Sequence, residues 1–346
     1  MKNGMHTEEA FFAAANGYYG FRSNFDSVFS PLSLERLYVI KGGPGTGKST
    51  LMKAIANQFC GKASVTRIFC SSDPNSLDGV LIERDGVTVG IADGTAPHAI
   101  EPRYPGASEV IINLGDGFDV FGLRKHRDEI SELSNKKGRA YKRAYKALGV
   151  AGHVHGYICD NFLDNNVYNE AENMILDVVP ITSIEEKCRA RSDFLISSFS
   201  KDGLRYLPFC NGTKRVFKTS GDGISEYVIM QQIAHRLAPL EVIKRVYYSP
   251  LSRNMIDAIE TESDLYTVTQ YDDADIDSSS LLSGNARYEK MKLVYDELLT
   301  EARDSFAEAS EHHFGLENIY SQNICFDNNE NIRKRIIGEI REVFDK

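Results

Sequence analysis

The residues best suited to chemistry stand together at positions 42–50, which read GGPGTGKST. Gly42, Gly47, Lys48 and Ser49 satisfy the spacing G-x-x-x-x-G-K-[ST] of a phosphate-binding loop. Gly42, Gly43, Gly45 and Gly47 let the backbone turn sharply and bring its N–H groups onto oxyanions, and Thr46 and Thr50 complete the cradle. Lys48 suits the β- and γ-phosphates of a nucleoside triphosphate, and the Ser49 hydroxyl suits Mg²⁺. Such a loop works only if a strand leads into it and a helix leads out. Tyr38–Ile40 is apolar and β-prone, and Leu51, Met52, Ile55 and Phe59 recur at helical spacing. The start of that helix adds partial positive charge where phosphate would sit.

A site of this kind also needs a carboxylate near the metal, usually at the end of a neighbouring strand. Asp93, which closes VTVGIAD, is the first choice, with an Asp-Gly turn as the bland alternative; Asp116 after VIINLG is the reserve. Gly94 follows Asp93, so the acidic residue that usually polarises water is not visible there. Asp73 ends VTRIFCSSD, where a base or substrate ligand can stand. Asp73-Pro74 also reads as a helix N-cap with proline at N1, and this predicts a short helix. His98 in DGTAPH is a candidate γ-phosphate sensor or an exposed loop residue, and Arg103 and Arg124 are candidates to close over the phosphates or plain surface groups. His153 and His155 would share a face only on a strand, without an evident third metal ligand, and His312-His313 offers less.

Shifting the chain by 178 positions places Lys48 on Glu226 and Arg67 on Arg245 without a gap. At the same offset Gly43 meets Gly221, Gly45 meets Gly223, and Met52 meets Met230. Ile55-Ala56 meets Ile233-Ala234, Ser71 meets Ser249 just beyond, and VTRIFCS lies on IKRVYYS. A duplication accounts for the constant register. The second copy has lost the chemistry: Gly47, Lys48, Ser49 and Thr50 become Ser225, Glu226, Tyr227 and Val228. A unit charge pair ~4 Å apart is worth about 4 kcal/mol at an effective dielectric of 20, so lysine to glutamate turns attraction into comparable repulsion. The second copy is expected not to bind a triphosphate.

With 346 residues, 42% of them hydrophobic, the chain can hold two ordinary domains. We expect a nucleotide-binding domain over 1–185 and a degenerate copy over 186–346, beginning near Arg191 with DFLISSFSKDG. The fold class expected is α/β, a P-loop NTPase-like parallel sheet flanked by helices and duplicated in tandem. Charged helices are expected over Arg124–Leu148, Asn161–Val178, Ala286–Ala309 and Glu330–Phe344, and a solvated loop at DDADIDSSS. A net charge of −9 disfavours a nucleic-acid binder; the basic cluster Lys136, Lys137, Arg139, Lys142, Arg143 and Lys146 reads as the wet face of a helix. The six cysteines form no C-x-x-C pair and read as reduced thiols. Glu8 and Glu9 precede the first apolar patch, unlike a signal peptide, and no apolar run is long enough to span a bilayer, so a cytoplasmic protein is expected.

KGGPGTGKSTLMKAIA, CSSDPNSLDGV and DGTAPH together resemble a family of uncharacterised bacterial tandem P-loop ATPase-like proteins. The resemblance spans nearly the whole chain and departs at Ser225–Val228, where the family has a second Walker A loop. It implies a P-loop NTPase fold and binding of Mg²⁺ with ATP (or GTP), without an established substrate. GGPGTGKST also looks like AAA+ and nucleotide-kinase loops, but the missing acid after Asp93 weighs against AAA+. The leading expectation is an ATPase whose hydrolysis is coupled to a domain switch, the nucleotide ordering residues 94–122. The alternatives are a small-molecule or nucleotide kinase with Asp73 near the acceptor, and a nucleotide-sensing scaffold acting through an unknown protein partner.

Overall fold

A computed structural model describes residues 6–179, 194–207, 214–269 and 273–346. In the first half come β1 (Glu8–Phe12), β2 (Ala14–Gly17), β3 (Gly20–Ser23), α1 (Phe25–Val28), β4 (Arg36–Lys41), α2 (Lys48–Phe59), β5 (Ser64–Phe69), β6 (Leu77–Arg84), β7 (Val87–Asp93) and β8 (Glu109–Asn113). Three helices follow: α3 (Val120–Lys125), α4 (Arg127–Phe162) and α5 (Asn165–Ile175). Six strands form one sheet in the order β1-β5-β6-β7-β4-β8. The apolar stripe of α2 packs on it, with Leu51, Met52, Ile55, Ala56 and Phe59 buried against Tyr38, Ile40, Val80 and Ile91.

This sheet is mixed, not parallel as expected. β6 runs antiparallel to both β5 and β7. The connection from Phe69 to Leu77 is too short for the crossover that parallel strands require, which takes a dozen residues or more. The helix expected after Asp73-Pro74 is absent. Asp73 Oδ1 accepts from the Asn75 N–H at 3.1 Å and the Asp73 carbonyl accepts from Ser76 at 2.9 Å, making a tight turn straight into β6. β6 and β7 then form a hairpin through Asp85-Gly86, both at positive φ (55° and 82°), the pairing a type I′ turn favours.

The second half holds β9 (Ser197–Ser200), β10 (Gly203–Tyr206), β11 (Arg215–Ser220), α6 (Ile224–Leu237), β12 (Arg245–Tyr248), β13 (Ile256–Glu260), β14 (Asp264–Val268), β15 (Ile276–Asp277), α7 (Ala286–Ser321) and α8 (Asp327–Phe344). Its larger sheet runs β12-β13-β14-β11-β15. Strand directions follow the first sheet from β5 to β8: two antiparallel pairings, then two parallel ones. Register agrees as well. Arg67 pairs with Val80, Val80 with Ile91 and Ile91 with Tyr38. Arg245 pairs with Glu260, Glu260 with Leu265 and Leu265 with Val216. Arg67 to Arg245 and Tyr38 to Val216 are both steps of 178. β15 lies inside DDADIDSSS, where a solvated loop was expected; Ile276 is buried and pairs with Thr219. Asp272, and Arg191 at the expected start of the second half, lie outside the described residues.

The long helices join the halves. α4 and α7 pack along one another and run well past their expected ends at Leu148 and Ala309. The shorter helices cross over. Ile332, Ile336, Ile337 and Ile340 of α8 belong to the core of the first sheet, beside Met52 and Ile55. Ala171 and Ile175 of α5 belong to the core of the second, beside Val228, Ile229 and Ile233. Each sheet is therefore completed by a helix from the other half, and a boundary at 185/186 does not divide the packing. Asn16 ties the seam: its side-chain amide donates to the Ser71 and Phe199 carbonyls at 3.3 and 2.9 Å, and its Oδ1 accepts from Tyr145 at 2.9 Å. Among the described residues no helix is long and apolar enough to cross a membrane.

Candidate functional site

β4 delivers the chain to Gly42, and α2 begins at Lys48. Gly45 and Gly47 between them sit at φ +68° and +86°, which side chains rarely tolerate. Thr46 pins the turn by donating its hydroxyl to the Gly43 carbonyl at 2.9 Å. This bend leaves its amides open. Among the described residues, the N–H groups of Gly45, Gly47, Lys48, Ser49 and Thr50 donate no hydrogen bond. They form a concave set of donors at a helix N-terminus, which is the donor set an oxyanion requires.

Lys48 curls over the loop, donating to the Gly42 and Gly43 carbonyls at 3.1 and 2.8 Å, with Nζ 3.6 Å from Asp93 Oδ2. Asp93 is buried at the end of β7, beside β4. Its Oδ1 accepts from the Thr95 N–H and hydroxyl at 2.9 and 2.6 Å, so the turn role and the place beside Lys48 are held at once. Ser49 Oγ accepts from the Leu77 N–H at 2.9 Å, which leaves its second lone pair for another partner. His98 is buried behind this cluster. Its Nδ1 lies 3.0 Å from the Asp93 carbonyl and its Nε2 3.3 Å from Asp78 Oδ2, and its ring stacks on Phe25. Burial opposes the imidazolium, but Asp78 and then Asp93 outweigh it and raise its pKa. With an acceptor at each nitrogen, His98 is a buried brace beneath Asp93, not a loop group at the surface.

Most of the cover over the loop comes from the other half, with Phe118 added from the same half. A side chain at Gly45 would meet the Glu317 carbonyl at 2.7 Å, and one at Gly43 would meet Phe118 and Tyr320 at 3.3 and 3.4 Å. Asn329 Nδ2 donates to the Thr46 carbonyl at 3.3 Å. His313 on α7 sits 3.5 Å from Lys137 Nζ and 3.6 Å from Glu317 Oε1. Burial, then Lys137 and Lys48, push the His313 pKa down to about 4. Burial, then Asp73, raise that of Glu317 against the pull of Lys48 and Lys137. Lys137 is thus turned toward the loop and not part of the wet face expected of it. Lys137, His313, Glu317, Tyr320 and Asn329 were not legible as site residues, since nothing local links positions 313–329 to position 45. Asp73 is exposed on the β5–β6 turn, close enough to act on both His313 and Glu317.

Other expectations do not converge on the loop. Asp116 accepts from Asn113 Nδ2 at 2.5 Å in the turn after β8. Arg103 and Arg124 are exposed, the latter over the Phe121 ring. His153 and His155 lie on a helix, not a strand, so they diverge. His153 is exposed, whereas His155 is buried against Ser252 Oγ at 2.8 Å, with a pKa pushed by burial to about 4. Cys60, Cys70, Cys159 and Cys325 are free thiols, and Cys188 and Cys210 lie outside the described residues.

The matching loop between β11 and α6 is lined by its own acids. Asp222 Oδ1 accepts from the Ser225 N–H and hydroxyl at 2.9 and 2.8 Å, and Oδ2 accepts from Tyr288. Burial, then Asp222, raise the Glu226 pKa to about 7. Asp257 nearby is fully buried and is also raised by burial to about 7. Thr267 pairs with Lys218 where Asp93 pairs with Ile40, so the acid beside the loop is missing too. Compared with known proteins, the chain matches no family model, no curated protein and no solved structure.

Proposed function

We propose that the chain is a Mg²⁺-dependent, ATP (or GTP)-binding P-loop NTPase made of two tandem copies, one live at Gly42–Thr50 and one degenerate at Ser220–Val228. The observation that carries this reading is the set of open N–H groups around Lys48, set against a second loop in which Asp222 takes the Ser225 N–H and Glu226 stands where the lysine would be. The donor set fits a triphosphate: backbone amides and Lys48 for the phosphates, and Ser49 with Asp93 to hold Mg²⁺, which supplies further charge neutralisation. The shared offset of 178 and the closing strand register support the duplication, and with it the resemblance to tandem P-loop ATPase-like proteins. The free thiols and an ATP-fed site fit the cytoplasm.

Binding would draw Lys48 off the Gly42 and Gly43 carbonyls and onto phosphate. Because α7 and α8 of the other half touch Gly45 and Thr46, the same event would shift the contact between halves. That coupling is the proposed switch. A sensing scaffold with little turnover is the second reading, favoured by Gly94 where an acid next to Asp93 would polarise water. The test is calorimetric titration with Mg-ATP and a non-hydrolysable analogue. Wild type should bind one equivalent, and Lys48→Ala should weaken binding by at least about 100-fold while melting normally. Equal affinities in the two proteins would remove the reading.

A further inference from the structure

The live loop has no acid after Asp93, yet a carboxylate does approach it from the far end of the chain. We propose that Glu317, on α7 of the second half, is the residue that orients and deprotonates the attacking water at the first half's site. The inference rests on the nucleotide reading above. Its geometry is independent of the motif. The Glu317 backbone lies against Gly45, so this residue is fixed at the loop's surface and not on a free arm. Its carboxylate feels Lys48, Lys137 and Asp73, the charged groups of α2, α4 and the β5–β6 turn. His313 one turn earlier stands 3.6 Å from it and is held neutral at pH 7, its pKa near 4, so it does not neutralise the carboxylate as an imidazolium would.

The second loop supplies an internal control. α4 and α7 are each 36 residues long. Ile158 stands as far from the start of α4 as Glu317 does from the start of α7. Ile158 is fully buried and packs with Ile224, the first residue of α6, at the degenerate loop. The residue at this count along the helix is charged in α7 and apolar in α4, although a side chain at Gly223 would not meet α4 as one at Gly45 would meet Glu317.

The step balances as a hydrolysis. Water oxygen attacks the γ-phosphorus, Glu317 accepts one water proton, and the bond from that phosphorus to the β–γ bridging oxygen breaks. Inorganic phosphate and the nucleoside diphosphate leave, and the proton passes to solvent. Hydrolysis would then need both halves, which gives the degenerate copy a reason to stay attached.

The experiment uses the full chain, Mg-ATP, a phosphate-release assay and calorimetry on wild type, Glu317→Gln and Glu317→Asp. Expected is a fall in kcat of roughly 100-fold or more for the Gln variant, with Mg-ATP affinity within about threefold of wild type and partial recovery in the Asp variant. A Gln variant that turns over within threefold of wild type overturns the proposal. So does one that loses binding and turnover together, which marks Glu317 as structural; if that variant does not fold, the Asp variant decides by the same kcat criterion. Wild type that binds Mg-ATP without releasing phosphate overturns the role of Glu317 and leaves the nucleotide reading standing. Wild type that does not bind Mg-ATP overturns both.

Discussion

The loop at 42–50 and the loop at 220–228 each join a strand to a helix through glycines at matching positions, yet they differ in charge and in what the amide of Gly47 and that of its match, Ser225, bind. In the first, Gly47 and Lys48 keep their N–H groups open, and Lys48 bonds to carbonyls of the loop itself. In the second, Ser225 gives both its N–H and its hydroxyl to Asp222, and Glu226 crowds a second acid into the same space. A helix N-terminus attracts negative charge wherever it occurs. The first loop leaves that attraction unmet by its own side chains, and the second sets Asp222 and Glu226 there. A loop that carries its own anions can stay folded without a nucleotide, which suits a structural partner.

The two turn glycines give the sharpest way to break the comparison. Gly45 and Gly223 occupy equivalent positions at φ +68° and +83°. A side chain at Gly223 would meet nothing within 4 Å, whereas one at Gly45 would run into the Glu317 carbonyl at 2.7 Å. Gly223→Ala should therefore cost only the left-handed backbone, about 1–2 kcal/mol. Gly45→Ala should cost roughly 2–4 kcal/mol, because α7 must also move. Chemical denaturation of both variants checks this, and equal losses would mean that the cover over the loop at 42–50 is not tight. Nucleotide affinity should fall in the Gly45 variant alone.

Part of this arrangement was legible in the sequence. The strand before Gly42 and the helix after it were placed by their apolar spacing, and the last helix was placed over Glu330–Phe344, within a few residues of α8, all of them local or periodic signals. What was missed depends on neighbours far along the chain. Asp73-Pro74 looked like a helix start because its side chain does cap an N–H, but the N–H belongs to a turn. The hairpin signal Asp85-Gly86 was present and pointed to an antiparallel β6. The buried brace of His98 on Asp78, the exchange of α5 and α8, and the seat of Glu317 rest on contacts between segments that no periodicity links.

Glu226 of the second loop and Asp257 of β13 predict a pH dependence of opposite sign to the usual carboxylate case. Glu226 and Asp257 have folded pKa values raised to about 7, so the native state holds protons that the unfolded chain releases above the ordinary carboxylate range. Their contribution to stability is fully present below that range and is lost as pH rises through about 7. Glu226→Gln removes the ionisation and should stabilise the chain at pH 8 by on the order of 1–3 kcal/mol. The gain should shrink toward zero at pH 5. Denaturation midpoints of both proteins across this range read the difference, and a constant gap would show that Glu226 is not the titrating group.

The smallest effect expected is on nucleotide stoichiometry. Glu226→Lys restores the lysine of the motif, but Ser225 still gives its N–H to Asp222, Tyr227 still stands where a metal-binding hydroxyl would be, and Thr267 still replaces the acid beside the loop. Charge reversal at one position reopens none of the three. Calorimetry should continue to find one Mg-ATP per chain, with the affinity of the first site unchanged within about twofold. A second equivalent in that variant would mean that Glu226 alone closes the loop and that the other losses are incidental. Removing Asp222 as well would then separate the two acids, since only that change returns the Ser225 N–H to the cradle.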